Sequence, residues 1–115
     1  TVNEPIIIYE YIKDVFDIKP DNIKICVKTA GYISKDYWQD FTNIVDLFNI
    51  DIKPMDVEYE RKCGIIKSEI VLGFIEYVYK NKHVEISHIL IEGVNDNEEC
   101  MSKLSDFLLN LDSNI

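Results

Sequence analysis

The hydrophobic pattern of this chain switches back and forth between helical and strand periods, and that alternation limits its fold more than any other feature. From Pro5 to Ile18, the residues Ile8, Tyr11, Ile12, Val15 and Phe16 recur at helical spacing. This predicts an amphipathic helix with proline in its first turn, broken by Lys19-Pro20-Asp21-Asn22. Ile23–Thr29 alternates and is rich in β-branched residues, so it reads as a strand, and Ala30-Gly31 turns the chain. Ser34 is a suitable N-cap for a helix over Lys35–Ile44. Val45–Ile52 reads as a second strand ended by Lys53-Pro54, and Met55–Gly64 as a loop. A third helix is expected from about Ile66 to Tyr79, with Ile70, Phe74, Tyr77 and Val78 on one side. His83–Ile91 reads as a third strand and Glu92–Asp96 as a loop; Asp96 or Asn97 caps a last helix that ends near Leu111. Such alternation predicts an α/β fold of parallel strands joined by right-handed crossovers. An antiparallel α+β arrangement is the alternative, and no Asn-Gly type hairpin signal supports it.

Length then bounds the architecture. A (β/α)8 barrel uses about 250 residues, about 31 per unit, so a chain of 115 residues holds fewer than four such units. About three strands and four helices make one domain over residues 1–115, and a sheet that small leaves two bare edges. Either another chain, including a second copy, covers those edges, or the chain is an excerpt of a larger barrel. The absence of an initiator Met at Thr1 favours the excerpt. Composition is that of an ordinary globular protein, 47% hydrophobic and 29% charged. The formal charge of −9 argues against nucleic acid or an anionic membrane as the main partner. No apolar run approaches the ~20 residues of a membrane span, and no signal peptide is visible. Cys26, Cys63 and Cys100 lie far apart with no metal-ligand spacing. They read as reduced thiols of a cytoplasmic protein.

In parallel α/β folds, ligands bind at the C-terminal ends of the strands. The second strand points there most clearly. Phe48, Ile50 and Ile52 alternate with Asn49, Asp51 and Lys53, and the period of two sends the polar residues to one face. If the apolar ones pack against helices, Asp51 and Lys53 face a barrel interior, where such charges need partners or a ligand. A solvated edge strand with a neutralising ion pair is the alternative. In the third strand Val84, Ile86, His88 and Leu90 share one face, and Glu85, Ser87, Ile89 and Ile91 the other. His88 reads as a packing histidine under a helix, and His83 lies at the wrong strand end for chemistry. Glu4 either caps the first helix or meets a ligand's ammonium group. Gly31 and Gly93 suit turns, and Asp96, Glu98 and Glu99 suit the first turn of the last helix. Arg61 and Lys62 lie in the longest loop and read as solvated. No phosphate-binding glycine loop, nucleophile elbow or Cys-x-x-Cys pair occurs.

Four stretches in register carry a resemblance. TVNEPIIIYEY, KTAGYIS, VDLFNIDIKPMDVEYERKCG and HVEISHILIEGVNDNEE resemble, in order and spacing across nearly all of residues 1–112, segments of radical SAM enzymes related to pyruvate formate-lyase-activating enzyme. The resemblance implies the central part of a partial (β/α)6 barrel that binds S-adenosylmethionine and a [4Fe–4S] cluster. Such enzymes cleave the sulfonium reductively to a 5′-deoxyadenosyl radical, and in the activating type the radical takes hydrogen from a glycyl-radical enzyme, the implied partner. Matched residue by residue, Glu4 takes the place of the acid at the methionine ammonium group. Lys53 takes that of the group at the carboxylate or ribose, and Asp51 that of the residue which orients it or helps hold a monovalent cation. Thr29 lies in the turn beside them, Ser87 stands where Thr or Arg is usual, and Ile91 and Val94 match the segment near the adenine. The family's first strand with its Cys-x-x-x-Cys-x-x-Cys loop is absent from these residues, so the chain is expected to hold no cluster ligand and not to catalyse alone. Its last strand is missing too, Ala30 and Glu92 replace the usual Asn and Pro, and Lys28 stands where some members carry Asp. A non-catalytic half-barrel that serves as a binding or assembly module is the second reading. An unrelated small α/β protein with a basic protein partner is the third.

Overall fold

The computed structural model describes residues 5–53 and 68–114. In chain order they form α1 (Pro5–Ile18), β1 (Cys26–Thr29), a 3-10 turn (Lys35–Tyr37) running into α2 (Trp38–Ile44), β2 (Leu47–Ile52), α3 (Ser68–Tyr79), β3 (His83–His88) and α4 (Glu98–Leu111). The strands make a parallel sheet in the order β1-β2-β3. Among the described residues, the outer edges of β1 and β3 pair with nothing. The expected α/β architecture of parallel strands and intervening helices is therefore present. The expectations for Glu4, for the Met55–Gly64 loop and for Arg61 and Lys62 lie outside the described residues.

The helices pack on one face of the sheet. Phe48, Ile50 and Ile52 of β2 are buried, as is Val27 of β1, and their layer meets Trp38, Phe41 and Ile44 of α2, Val71, Phe74, Ile75 and Val78 of α3 and Leu104 of α4. Removing each large side chain of this layer from water stabilises the fold by about 1.5–3 kcal/mol. The rings meet at an angle: Phe48 lies edge-on to Phe74 at 5.3 Å between centroids, and Tyr9 of α1 edge-on to Phe41 at 5.6 Å. The indole of Trp38 donates to the Ile33 carbonyl at 2.8 Å, so its one polar atom is satisfied in the core.

The elements depart from the sequence pattern where side chains compete with the ladder. β1 starts at Cys26, because the Asp46 carboxylate takes the Ile25 amide at 2.8 Å and Ile23 closes a turn onto Pro20. Val45 belongs to the end of α2, its amide bonded to the Phe41 carbonyl. Ser34 makes no side-chain cap. The helix expected to begin there opens as the 3-10 turn. Asn97, not Asp96, caps α4 by accepting from the Cys100 amide at 3.0 Å. In α1 only part of the expected stripe is inside: Ile8 and Ile12 pack on the core, whereas Tyr11 is 69% exposed and Val15 and Phe16 are partly so.

Gly31 is where backbone freedom matters most. It has φ +75°, and a Cβ there would come within 3.0 Å of both Ile50 Cγ2 and Val71 Cγ1. Gly93 shares the conformation, with φ +73°, but faces open space. Alanine at Gly93 should cost the left-handed backbone penalty alone, about 1–2 kcal/mol. Gly31→Ala should add an overpacking cost of about 1–3 kcal/mol. Urea unfolding of both variants checks the order; equal losses would show that α3 yields to the extra methyl without strain.

The Tyr79 hydroxyl of α3 donates to the Asp112 carboxylate at the end of α4. That hydrogen bond, with the Asn114 amide at 2.9 Å, holds the Asp112 carboxyl below the usual range and, from the other side, raises the Tyr79 phenol. A lowered carboxyl stabilises the fold above its unfolded-state value and loses that contribution as pH falls through the folded one. A raised phenol contributes below its unfolded value and loses the contribution as pH rises through the folded one. Tyr79→Phe should therefore lower Tm between about pH 4 and pH 10, and the difference from wild type should shrink beyond either limit. A difference constant across that range in a thermal melt series would rule out the linkage.

Candidate functional site

The alternation in β2 builds the site. With Phe48, Ile50 and Ile52 under the helices, Asn49 and Asp51 stand on the opposite face, which no described helix covers. Register extends that face sideways: Lys28 and Glu85 flank Asn49, and Ser87 stands beside Asp51. Parallel partners in register share a face, so the row Lys28–Asn49–Glu85 and the pair Asp51–Ser87 lie together on one polar surface. Lys53, just past the strand, turns back onto it. Its ammonium donates to the Asp51 carboxylate at 2.5 Å, with the two side chains 31% and 25% exposed.

Two atoms on this surface are left over. Asn49 donates its amide N–H to the Glu85 carboxylate at 3.0 Å, which fixes the amide orientation. The opposite atom, Oδ1, is shielded from solvent and has no hydrogen-bond partner among the described residues, and the same holds for the Ser87 hydroxyl oxygen. A shielded acceptor without a donor costs about 1–3 kcal/mol, so such atoms in native folds call for an explanation. Asn49 Oδ1 can only accept, so it fits a hydroxyl or ammonium donor; Ser87 Oγ can give or take.

The remaining residues singled out in the sequence are divided by the fold. Ile91 and Val94 lie in the loop after β3, at the same C-terminal end of the sheet as Asp51 and Lys53, and the Val94 amide closes a turn on the Ile91 carbonyl at 3.0 Å. Thr29 is not brought together with them by its side chain. It pairs with Ile50 and so belongs to the helix-covered face, buried, with its hydroxyl accepting from the Gly31 amide at 3.0 Å. It shapes the turn at the rim.

Sequence patterning leaves Asn95 unmarked within a loop, yet it is fully buried and organises the end of β3. Its amide oxygen accepts from the Ile91 amide at 2.7 Å, and its nitrogen donates to the Ile89 carbonyl at 2.8 Å. These bonds draw the chain out of the ladder after His88, three residues before the expected strand end at Ile91. The one hint in the sequence is an Asn between Val94 and Asp96, a residue type that bonds its own loop backbone.

A cavity of 420 Å³ opens on the helix side, lined by Tyr32, Ile33, Ser34, Lys35, Trp38, Glu69 and Ile70. The unsatisfied polar atoms and the charged pair lie instead on the sheet surface. For a metal, the described residues offer no cluster of three or more His, Cys, Asp or Glu side chains. Cys26 is exposed and Cys100 buried. Three thiolates for an iron–sulfur cluster therefore do not assemble among the described residues.

No family model matches the chain. The choline trimethylamine-lyase activating enzyme of Oleidesulfovibrio alaskensis is 30% identical over 91 residues, 78% of this chain and 29% of its own length. The pyruvate formate-lyase-activating enzymes of Staphylococcus epidermidis and Staphylococcus aureus are 25% and 23% identical over 118 aligned positions, which are 96% of this chain and 47% of theirs. The chain thus spans less than half the length of these curated relatives. In fold, it matches the crystal structure of a domain of pyruvate-formate lyase-activating enzyme from Bacteroides vulgatus with a TM-score of 0.76 and 24% identity, over 94% of this chain and 68% of that one. The motif order along the chain, the parallel β/α framework and these relatives agree: the chain is related to the pyruvate formate-lyase-activating enzymes of the radical SAM group.

Proposed function

We propose that the polar sheet face is an S-adenosylmethionine site, and that residues 1–115 are the central part of a barrel that generates a 5′-deoxyadenosyl radical to activate a glycyl-radical enzyme. The observation that carries the reading is the pair of solvent-shielded atoms without partners among the described residues, Asn49 Oδ1 and Ser87 Oγ, beside the Asp51–Lys53 ion pair. A ligand that supplies a carboxylate, an ammonium group and hydroxyls satisfies all of them, and S-adenosylmethionine carries each. Lys53 exchanges part of its bond to Asp51 for the ligand's carboxylate or ribose, so the pair keeps both charges compensated in either state. Asp51 orients the Lys53 ammonium. Ser87 hydrogen-bonds the ligand's polar edge, and Ile91 and Val94 give the apolar contact for its adenine. Thr29 contributes through the turn it stabilises, and Glu4 is assigned the ligand's ammonium group on its motif match alone.

The bound cofactor supplies the sulfonium whose reductive cleavage yields the radical. The [4Fe–4S] cluster that gives the electron belongs, in this reading, to a part of the barrel other than these residues. The bare edges of β1 and β3 favour a sheet continued by further strands. The same edges would let a non-catalytic half-barrel assemble with another chain or with a second copy.

Titration calorimetry with S-adenosylmethionine tests the assignment. Charge-assisted hydrogen bonds contribute about 1.5–3 kcal/mol, so Lys53→Ala should weaken binding by about ten- to a hundredfold. Equal affinities would remove Lys53 from the site. Asn49→Leu separates ligand binding from folding. It deletes an unsatisfied acceptor, so stability should hold or rise in urea while S-adenosylmethionine affinity falls. A variant that loses stability and keeps its affinity would make Asn49 an ordinary structural residue.

A further inference from the structure

Asn95 and His88 together connect the two sides of the sheet's C-terminal rim. The bonds of Asn95 to the Ile91 amide and the Ile89 carbonyl leave its amide one orientation, nitrogen toward Ile89 and oxygen toward Ile91. The same nitrogen lies 3.1 Å from His88 Nε2. Because that nitrogen is a donor, Nε2 is the acceptor and carries no proton. The ring proton is then on Nδ1, which lies 2.7 Å from the Ile52 carbonyl and donates to it. Ile52 stands between Asp51 and Lys53 in sequence. One neutral imidazole, in one tautomer, thus ties the peptide that carries the ion pair to the loop that carries Ile91 and Val94.

We infer that His88 is a positioning residue, which with Asn95 forms a latch holding the Ile91–Val94 loop at a set distance from Asp51 and Lys53 so that both halves of one extended ligand are gripped at once. The inference rests on reading the polar face as the S-adenosylmethionine site. The charged pair would take the ligand's amino-acid end and the loop its nucleoside end. A ligand spanning two subsites gains affinity from their fixed separation, and that gain is lost when the separation fluctuates. The His88 ring bonds the Ile52 carbonyl and the Asn95 amide and none of Asp51, Lys53, Ile91 or Val94 directly, so it governs the gain and not the contacts themselves.

This separates latching from plain structural support. In His88→Phe, which keeps a ring and removes both nitrogens, affinity for S-adenosylmethionine should fall about tenfold. Affinities for methionine and for adenosine, each measured alone by ligand-detected NMR, should stay within about twofold of wild type. His88→Asn, whose amide can still donate to the Ile52 carbonyl, should recover part of the loss. In the wild-type chain, nitrogen-15 NMR should show a proton on Nδ1 and none on Nε2, a readout that needs no variant to fold. Unchanged S-adenosylmethionine affinity in His88→Phe, or a parallel loss for all three ligands, overturns the positioning role. A protonated Nε2 in the neutral ring overturns the latch geometry. Failure of the wild type to bind S-adenosylmethionine, with the expected nitrogen spectrum intact, overturns the site assignment and with it this role, and is told apart from a failed latch by that spectrum.

Discussion

The segregation of β2 into two unlike faces is the constraint on which everything else depends. Phe48, Ile50 and Ile52 are buried under the helices, and this burial fixes the strand's rotation. A slip by one residue would put Asn49 and Asp51 into the core, at a cost no described partner could offset. Once the rotation is fixed, Asn49 and Asp51 must stand on the sheet's other face, and the parallel register sets Ser87 and Glu85 beside them. Hydrophobic burial on one side of the sheet thus organises polar chemistry on the other. A polar surface with a charged pair at its rim arises this way from the packing of the core.

Much of this is legible in the sequence because periodicity reports faces directly. The two-residue period of β2 foretells which side chains go in and which come out, and the helical spacing of Phe74 and Val78 foretells the packed side of α3. Periodicity is blind to local hydrogen bonding, which is why the strand ends differ from the pattern. Asp46 takes the Ile25 amide before the ladder can, and Asn95 draws residues 89–91 away from it. The same blindness explains Thr29. Its motif position beside the rim is plain, but its pairing with Ile50, hence its face, depends on a register that only the assembled sheet defines. Ser34 fails as a cap for a related reason: residue type suggests a cap, while the 3-10 turn that follows it decides otherwise.

The site is legible in part. Asp51 and Lys53 follow from the strand pattern and from the motif match independently, and the structure joins them as an ion pair. His88 reads in sequence as a packing histidine. It is indeed partly buried and bonded at both ring nitrogens, but the bonds run between two rim segments, which pattern alone could not show. The exposed flank of α1, with Tyr11 outside the packed stripe, is where helical periodicity predicts more burial than the described residues provide.

In the proposed function the polar face of the sheet, and not the hollow beside Trp38, receives the cofactor. Amide chemical-shift mapping of the chain during S-adenosylmethionine addition tests this most directly. Saturable shifts should gather at Asn49, Asp51, Lys53, Ser87 and Ile91, with Tyr32, Lys35 and Glu69 unmoved. Shifts confined to the residues around Trp38, with the β2 and β3 amides still, would contradict it.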